Sequence, residues 1–331
     1  MITKIYPVGE LQTYKYVVIL SQYRDKILLS RHKDRTTWET QGGHIEEGES
    51  PFDAAKRELF EESGAIDYYI VPLCDYRAGA DEESQGANGM VFRAVIHQLD
   101  TIPESEMAEV KTFDILPDNL TYPAITPVLF GYLKDNDGRL SIPIAKMLLK
   151  EAASCNPGPW EQHSEYVAEA ARKIAAECDG LDPEKAYILG LLHDIGRRFG
   201  VRHLAHVYDG YHYLLELGYE DAARIALTHS FNLSKIEDYI GKFDISEDKQ
   251  AELVSLLTDT KLDDYDYLIQ LCDSISKADS IVTLEERMND VKSRYGYYPQ
   301  EKWDRNMQLK LYFENKMKKD LYQVVTVCIC S

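Results

Sequence analysis

Residues 16–22 and 26–32 are rich in β-branched and aromatic side chains and are separated by a polar turn at Arg24-Asp25, which predicts a hairpin. Residues 68–76 and 91–97 have the same character and predict two more strands, and a short stretch, 38–41, leads into the loop between the pairs. One helix interrupts this strand-type pattern. Ser50, Pro51 and Asp53 supply an N-cap, a proline at the first helical position and an acid in the first turn, and Gly64 marks the stop, so the helix is expected from Pro51 to Ser63. Beyond about residue 140 the spacing becomes helical. Val167, Ala170, Ala171 and Ile174 form a stripe with His163, and the apolar run 186–192 closes on His193-Asp194. The polar, turn-forming segment Asp135-Asn136-Asp137-Gly138-Arg139 separates the two patterns, giving expected domains of 1–137 and 140–331. At 331 residues each half is long enough to bury its own core.

The predicted helix concentrates charge on one face. At about 100° per residue, Glu58, Glu61 and Glu62 fall within an arc of about 100°, while Phe52, Ala55 and Leu59 cluster beside them. Three like charges on one turn repel, and each raises the others' pKa unless a cation sits among them. A solvated acidic face is the ordinary reading of such a run. The Gly42-Gly43 pair before the helix, Glu49 ahead of the cap, and Arg57 placed to pair with a carboxylate and orient the cluster argue for a site instead. Hard oxygen donors favour Mg²⁺, with Mn²⁺ as a substitute.

The segment Gly43, five residues, Glu49, seven residues, Arg57-Glu58-Leu59-Phe60-Glu61-Glu62-Ser63-Gly64-Ala65 resembles the Nudix signature at every fixed position, Ala65 being smaller than the usual branched aliphatic. The resemblance implies an α/β/α sandwich with a mixed sheet over residues 1–137. It also implies hydrolysis of a nucleoside diphosphate linked to another group, with Glu58, Glu61 and Glu62 at the metal-binding positions. Glu58 and Glu61 are then the candidate catalytic carboxylates, a glutamate from a later loop is the alternative base, and Gly43 and Arg57 are candidate substrate contacts. The stretch from Ile45 through Met107-Ala-Glu109-Val110 to Leu116-Pro117 loosely resembles the nucleoside-triphosphate and oxidised-purine diphosphatases. Trp38, Tyr68 and Tyr76 are either base-stacking residues or core, and aromatics near strands are more often core.

The second half carries His163, His193-Asp194, His206, His229 and Asp273, a donor set suited to transition metals. This order, with Leu191-Leu192-His193-Asp194-Ile195-Gly196-Arg197 at its centre, resembles the HD-domain phosphohydrolases, and the two further histidines resemble their binuclear branch. The resemblance implies an all-α helical bundle over 140–331, with a leading helix at 145–153 and ligand-bearing helices at 187–194, 222–230 and 267–278. His163, His193, Asp194 and Asp273 would hold one ion, and Asp194 would bridge to a second held by His206 and His229; Mn²⁺, Fe²⁺ or Zn²⁺ would serve. His203 is the rival for His206. Asp194 counts also as catalytic, and Arg197, Arg198 and Lys277 are candidate phosphate contacts. Many members have an arginine shortly before the first histidine, where this chain has Trp160-Glu161-Gln162.

A formal charge of -19 argues against a nucleic-acid polymer as partner and leaves small nucleotides, met by bound cations, as the expected substrates. Six cysteines without zinc-finger spacing and no signal peptide fit reduced thiols in a cytoplasmic setting. No apolar run is long enough for a membrane span, and the tail, 324–330, reads as a buried terminal strand. Two readings follow. One is a bifunctional metal-dependent hydrolase, in which the first domain cleaves a nucleoside di- or triphosphate derivative and the second a phosphate ester or anhydride. The other makes the first half a nucleotide-sensing module that regulates the second.

Overall fold

Arg24 and Asp25 both take positive φ, 53° and 60°, the backbone of a tight turn whose twist matches that of the flanking strands. The computed structural model describes residues 1–80, 86–136 and 138–326. Two units result, Met1–Arg139 and Leu140–Ser331.

In the first unit the chain runs β1 (Ile2–Tyr6), β2 (Tyr16–Tyr23), β3 (Lys26–His32), β4 (Gln41–His44), α1 (Pro51–Ser63), β5 (Ala65–Gly79), β6 (Ala87–Leu99), β7 (Met107–Phe113) and α2 (Thr126–Asn136). The strands form a sheet in the order β1-β5-β6-β2-β3-β7, with β4 paired to β2. It is mixed, because β2 and β6 run parallel while the other pairs are antiparallel. Neighbouring residues on β6 point to opposite faces. Val91 packs with Leu129 and Leu133 of α2, and Phe92 meets Phe52 of α1 edge-on at 5.1 Å. One helix therefore covers each face, the expected sandwich.

The differences from the sequence reading are instructive. β5 spans 15 residues rather than nine, and its register shifts at Ala65/Asp67, Asp67/Tyr68 and Pro72/Cys74 break the two-residue period that would have marked it. β1, β7 and α2 were not expected as elements. Of residues 38–41 only Gln41 enters β4, while Trp38 bridges to Leu120. Trp38 and Tyr76 are buried in the core, at 8% and 4% exposure. Asp135 and Asn136, expected in the boundary turn, end α2 instead, and Asp137 lies outside the described residues.

The second unit is helical: α3 (Ile142–Cys155), α4 (Trp160–Ala176), α5 (Pro183–Leu192), a 3-10 helix (Ile195–Phe199), α6 (Ala205–Glu216), α7 (Glu220–Thr228), α8 (Glu247–Asp259), α9 (Asp264–Asp273), α10 (Leu284–Tyr295), α11 (Gln300–Met317) and α12 (Leu321–Val325). Leu204 and Val207, Leu227 and Phe231, and Leu253 and Leu257 make one cluster that joins α6, α7 and α8. His193-Asp194 does not lie within a helix as expected but follows the last turn of α5, and His229 likewise follows α7. The anticipated terminal strand is replaced at Val324 and Val325 by α12, and 327–331, with Cys328 and Cys330, lie outside the described residues. Among the described residues no helix is long and apolar enough to cross a membrane.

Candidate functional sites

In the first unit the site is built around α1. Ser50 accepts a hydrogen bond from the Asp53 amide, which starts the helix about two turns before the glutamates. Gly43 lies on β4, where a side-chain carbon would sit 2.2 Å from a Glu58 carboxylate oxygen. Its role is thus to let the carboxylate approach the strand, which no larger residue permits. Arg57 Nε donates to Glu49 (2.9 Å), Nη1 to Glu58 (2.8 Å) and Glu61 (3.3 Å), and Nη2 to the His44 carbonyl (3.0 Å) and Glu49 (2.9 Å). A guanidinium has five donors and all five are used here. Arg57 thus orients the carboxylates as its position in the sequence predicts, and Gly43 and Arg57, counted also as substrate contacts, are committed to that arrangement.

The three glutamates are held differently. Glu62 is buried and accepts from the Gly42 amide at 2.7 Å. Burial, reinforced by the charges of Glu58, Glu39 and Glu106, pushes its carboxyl up to about 9. Glu58 is also raised by burial, against the pull of Arg57. Glu61 is half-exposed, its side chain 47% accessible. Among the described residues these three do not draw their oxygens as close together as the imidazole sets below, because Arg57 takes Glu58 and Glu61 while Gly42 takes Glu62. The donor chemistry still fits a hard divalent cation, since a buried, electrostatically frustrated carboxylate stands beside two others on the same helical face. Glu39 and Glu106 escaped the sequence reading. The only available signal for Glu39 was an acid beside Trp38; it is buried and ion-paired to Arg35 at 2.6 Å.

In the second unit two triads gather, His163, His193 and Asp273, and Asp194, His206 and His229, with ligand atoms in each lying within 4.8 Å of one another. The backbone orients the rings. His193 Nδ1 lies 2.7 Å from the Gly190 carbonyl, His229 Nδ1 2.8 Å from that of Ala226, and His206 Nδ1 against that of His203. Each contact reaches back three residues, and with Nδ1 as donor it leaves Nε2 as the free lone pair. His206 Nε2 then stands 3.1 Å and His229 Nε2 3.5 Å from Asp194 Oδ1, and the two nitrogens are 3.3 Å apart. The buried His193 Nε2 and Asp194 Oδ1 have no hydrogen-bond partner. Orphaned lone pairs of this kind, converging in a buried space, fit metal ions.

A backbone contact makes this convergence possible. A side-chain carbon on Gly196 would lie 1.9 Å from the His206 carbonyl and 2.6 Å from the Gly210 nitrogen, so the 3-10 helix can lie on α6 only with glycine there. That close crossing brings Asp194 to His206. Electrostatics follow from the burial. His193 is lowered to about 4 by burial, which outweighs Asp194, and His206 is lowered by burial and then by Arg197. Burial opposes the charge on Asp194, but Arg197 and His206 hold it well below the usual range. The same holds for Asp273 through its 2.9 Å contact with His163.

The structure brings together every predicted donor in the second half, with one difference of grouping. Asp194, expected to bridge both sets, gathers with His206 and His229 as predicted but not with His163, His193 and Asp273, and Arg197 Nε holds its Oδ2 at 2.5 Å. His206 rather than its rival His203 joins the triad, and His203 contributes only its carbonyl, to the His206 ring. Arg197 and Lys277 line the adjoining cavity of about 690 Å³. Arg198 does not reach it. It pairs with Glu151 at 2.9 Å and lies over the Tyr213 ring at 4.3 Å.

Comparison with known proteins agrees with this division. The NUDIX domain family matches residues 13–117 and the HD domain family matches residues 160–278. The chain joins a Nudix domain to an HD domain, in that order, and is a hydrolase. Similar solved structures include a pyrophosphohydrolase of Bacillus subtilis, 23% identical, covering 40% of this chain and 90% of that one with a TM-score of 0.36. A UDP-X diphosphatase is 24% identical, covering 39% of this chain and 65% of that one, with a TM-score of 0.33. The NUDIX domain of Shewanella oneidensis NrtR, solved with ADP ribose, is 18% identical, covering 40% and 93%, with a TM-score of 0.31. No curated protein matches the chain.

Proposed function

We propose that the protein has two separate metal-dependent hydrolytic centres: one in the first unit for the phosphoanhydride of a nucleoside di- or triphosphate derivative, one in the second for a phosphate ester or anhydride. The observation that carries this reading is the set of three Nδ1 contacts to backbone carbonyls at His193, His206 and His229, which aim Nε2 lone pairs at shared centres. A merely structural core histidine would use both nitrogens. Bound divalent ions would supply an activated water and neutralise charge on the phosphoryl group.

The chain's own residues do the rest. In the first unit Glu58, Glu61 and Glu62 would hold Mg²⁺ or Mn²⁺, and Glu61, half-exposed and held by one 3.3 Å contact, is the carboxylate best placed to take a proton from water. In the second, His163, His193 and Asp273 would hold one ion and Asp194, His206 and His229 another, of the Mn²⁺, Fe²⁺ or Zn²⁺ type. Arg197, fixed by Asp194, and Lys277 would grip the phosphoryl oxygens from the cavity wall. The test is a panel of nucleoside mono-, di- and triphosphates and dinucleoside polyphosphates, assayed with the wild type, Glu61→Gln and Asp194→Ala. Each variant should lose one activity and keep the other; loss of both together in either variant refutes independent centres.

A further inference from the structure

The cavity beside the triads extends beyond what holding one phosphoryl group requires. Its volume, about 690 Å³, is in the range of sites for whole small molecules, about 300 to 1,000 Å³. Part of its wall comes from α10 and α11, which lie beyond the segment that matches the HD family. Arg287, Asp290 and Arg294, at spacings of three and four, form one face of α10, and all line the cavity. Arg287 Nη1 and Arg294 Nη2 share a single carboxylate oxygen, Asp290 Oδ2, at 3.3 and 3.0 Å. Two guanidinium charges meet one carboxylate, which leaves a positive charge over.

Lys302 of α11 adds a second surplus. It is nine-tenths buried and lines the same cavity. Its ammonium donates to the Ser230 and Asp238 carbonyls, at 2.7 and 2.9 Å, and among the described residues it has no carboxylate within 4.0 Å. Carbonyl dipoles use two of its three protons and neutralise none of its charge. Asp238 and Asp273 attract it from beyond direct contact, and a buried cation without a direct ion pair is costly. In a chain whose formal charge is -19, an excess of cations over directly paired carboxylates on one cavity wall points to an anionic ligand.

We propose that Arg287, Arg294 and Lys302 form a second anion subsite, distinct from the imidazole–aspartate triads, so that the second unit selects substrates with a further phosphate group away from the reacting phosphorus. The assignment rests on the phosphohydrolase reading of the neighbouring triads. A nucleotide with two separated phosphates has this chemistry; Arg287 and Arg294 would take the distal group and Lys302 would supply the buried charge between.

The experiment is calorimetric titration of the full chain, in chelator, with adenosine 5′-monophosphate and adenosine 3′,5′-bisphosphate. Wild type should bind the bisphosphate about tenfold more tightly or better, an advantage typical of added charge pairs. The Arg287→Gln/Arg294→Gln variant should lose that advantage while its affinity for the monophosphate stays within about twofold. Both substitutions lie in the second unit, so any nucleotide bound by the first contributes equally to each titration. Equal affinities in wild type, or an undiminished ratio in the folded double variant, overturn the subsite. If the double variant fails to fold, Arg294→Gln alone, whose side chain is 51% exposed, must still lower the ratio. Phosphate release by wild type with Mn²⁺ is measured separately. A retained bisphosphate preference with no release from any phosphate ester refutes the hydrolase reading and leaves the binding subsite standing.

Discussion

The two candidate centres solve one problem, gathering cation donors against their mutual repulsion or burial cost, in opposite ways. The first takes its donors from a single helix, where local geometry alone makes Glu58, Glu61 and Glu62 neighbours, and relies on Arg57 to hold two of them. The second takes donors from different helices and loop ends, and uses backbone carbonyls to orient each ring. A one-helix site is assembled once the helix forms, but its charges stay frustrated. A site assembled by packing can bury neutral imidazoles, yet depends on contacts such as the one between Gly196 and α6. Helix formation needs only neighbours in sequence, whereas convergence needs the whole bundle.

The comparison is broken most severely by Asp194→Ala. Removing the carboxylate shared by His206 and His229 should cost the second unit at least one bound metal ion and on the order of 10³-fold in its phosphohydrolase turnover. Metal analysis by mass spectrometry and phosphate release check this, and hydrolysis by the first unit should stay near the wild-type rate. Glu61→Gln is the converse. Loss of the half-exposed base should lower pyrophosphohydrolase turnover about 10²- to 10⁴-fold without altering the second activity. If the first half only senses nucleotide, the substitution instead changes the second unit's response and no nucleotide is consumed by wild type.

Gly43→Ala sharpens the contrast at smaller scale. Its methyl group displaces Glu58 while leaving the helix sequence intact. Mg²⁺ affinity of the first unit should fall about 10- to 100-fold, as expected when an orienting contact is lost, and calorimetry would read it.

The subtlest test is pH, where the units should respond with opposite sign when metal is chelated. Glu62 titrates near 9 in the folded protein, above its ordinary 4.5. Its contribution to stability is therefore fully present below about 4.5 and declines as pH rises towards 9. His193 titrates near 4, below its ordinary 6.5. It contributes fully above about 6.5, and that contribution, about 3 kcal/mol, is lost as pH falls through 4. Hydrogen exchange of α1 and α5 peptides between pH 5 and 8 should thus diverge, and Mg²⁺ binding at pH 7 should release close to one proton from the first unit. Parallel pH responses in both units would contradict the assigned environments.

Much of this was legible in the residues. The bounds of α1 were readable from Ser50, Pro51 and Gly64, because caps and first-turn preferences are interactions between near neighbours. The donor residues of the second unit were legible for a similar reason: an adjacent His193-Asp194 closing an apolar run marks itself. β5 was only partly visible because its bulges interrupt the two-residue period, and α2 because its apolar positions gave no strong stripe. Arg57 was legible as the orienter of the carboxylates and was also counted as a substrate contact, since sequence shows a guanidinium but not that Glu49, Glu58, Glu61 and the His44 carbonyl take all its donors. Arg198 looked equivalent to Arg197 until Glu151 and Tyr213 were seen to hold it away.

Taken alone, the order of amino acids determined which donors exist, that three carboxylates share a helical face, and that the chain changes from strand-type to helical spacing near residue 137. Tertiary structure decided which donors meet: His163 with Asp273, 110 residues later, Asp194 with His206 and His229, and Lys302 with the cavity that Arg287 and Arg294 line. The physical reason is range. Periodicity and capping arise between residues a few positions apart, while the direction of a buried lone pair depends on how distant helices pack.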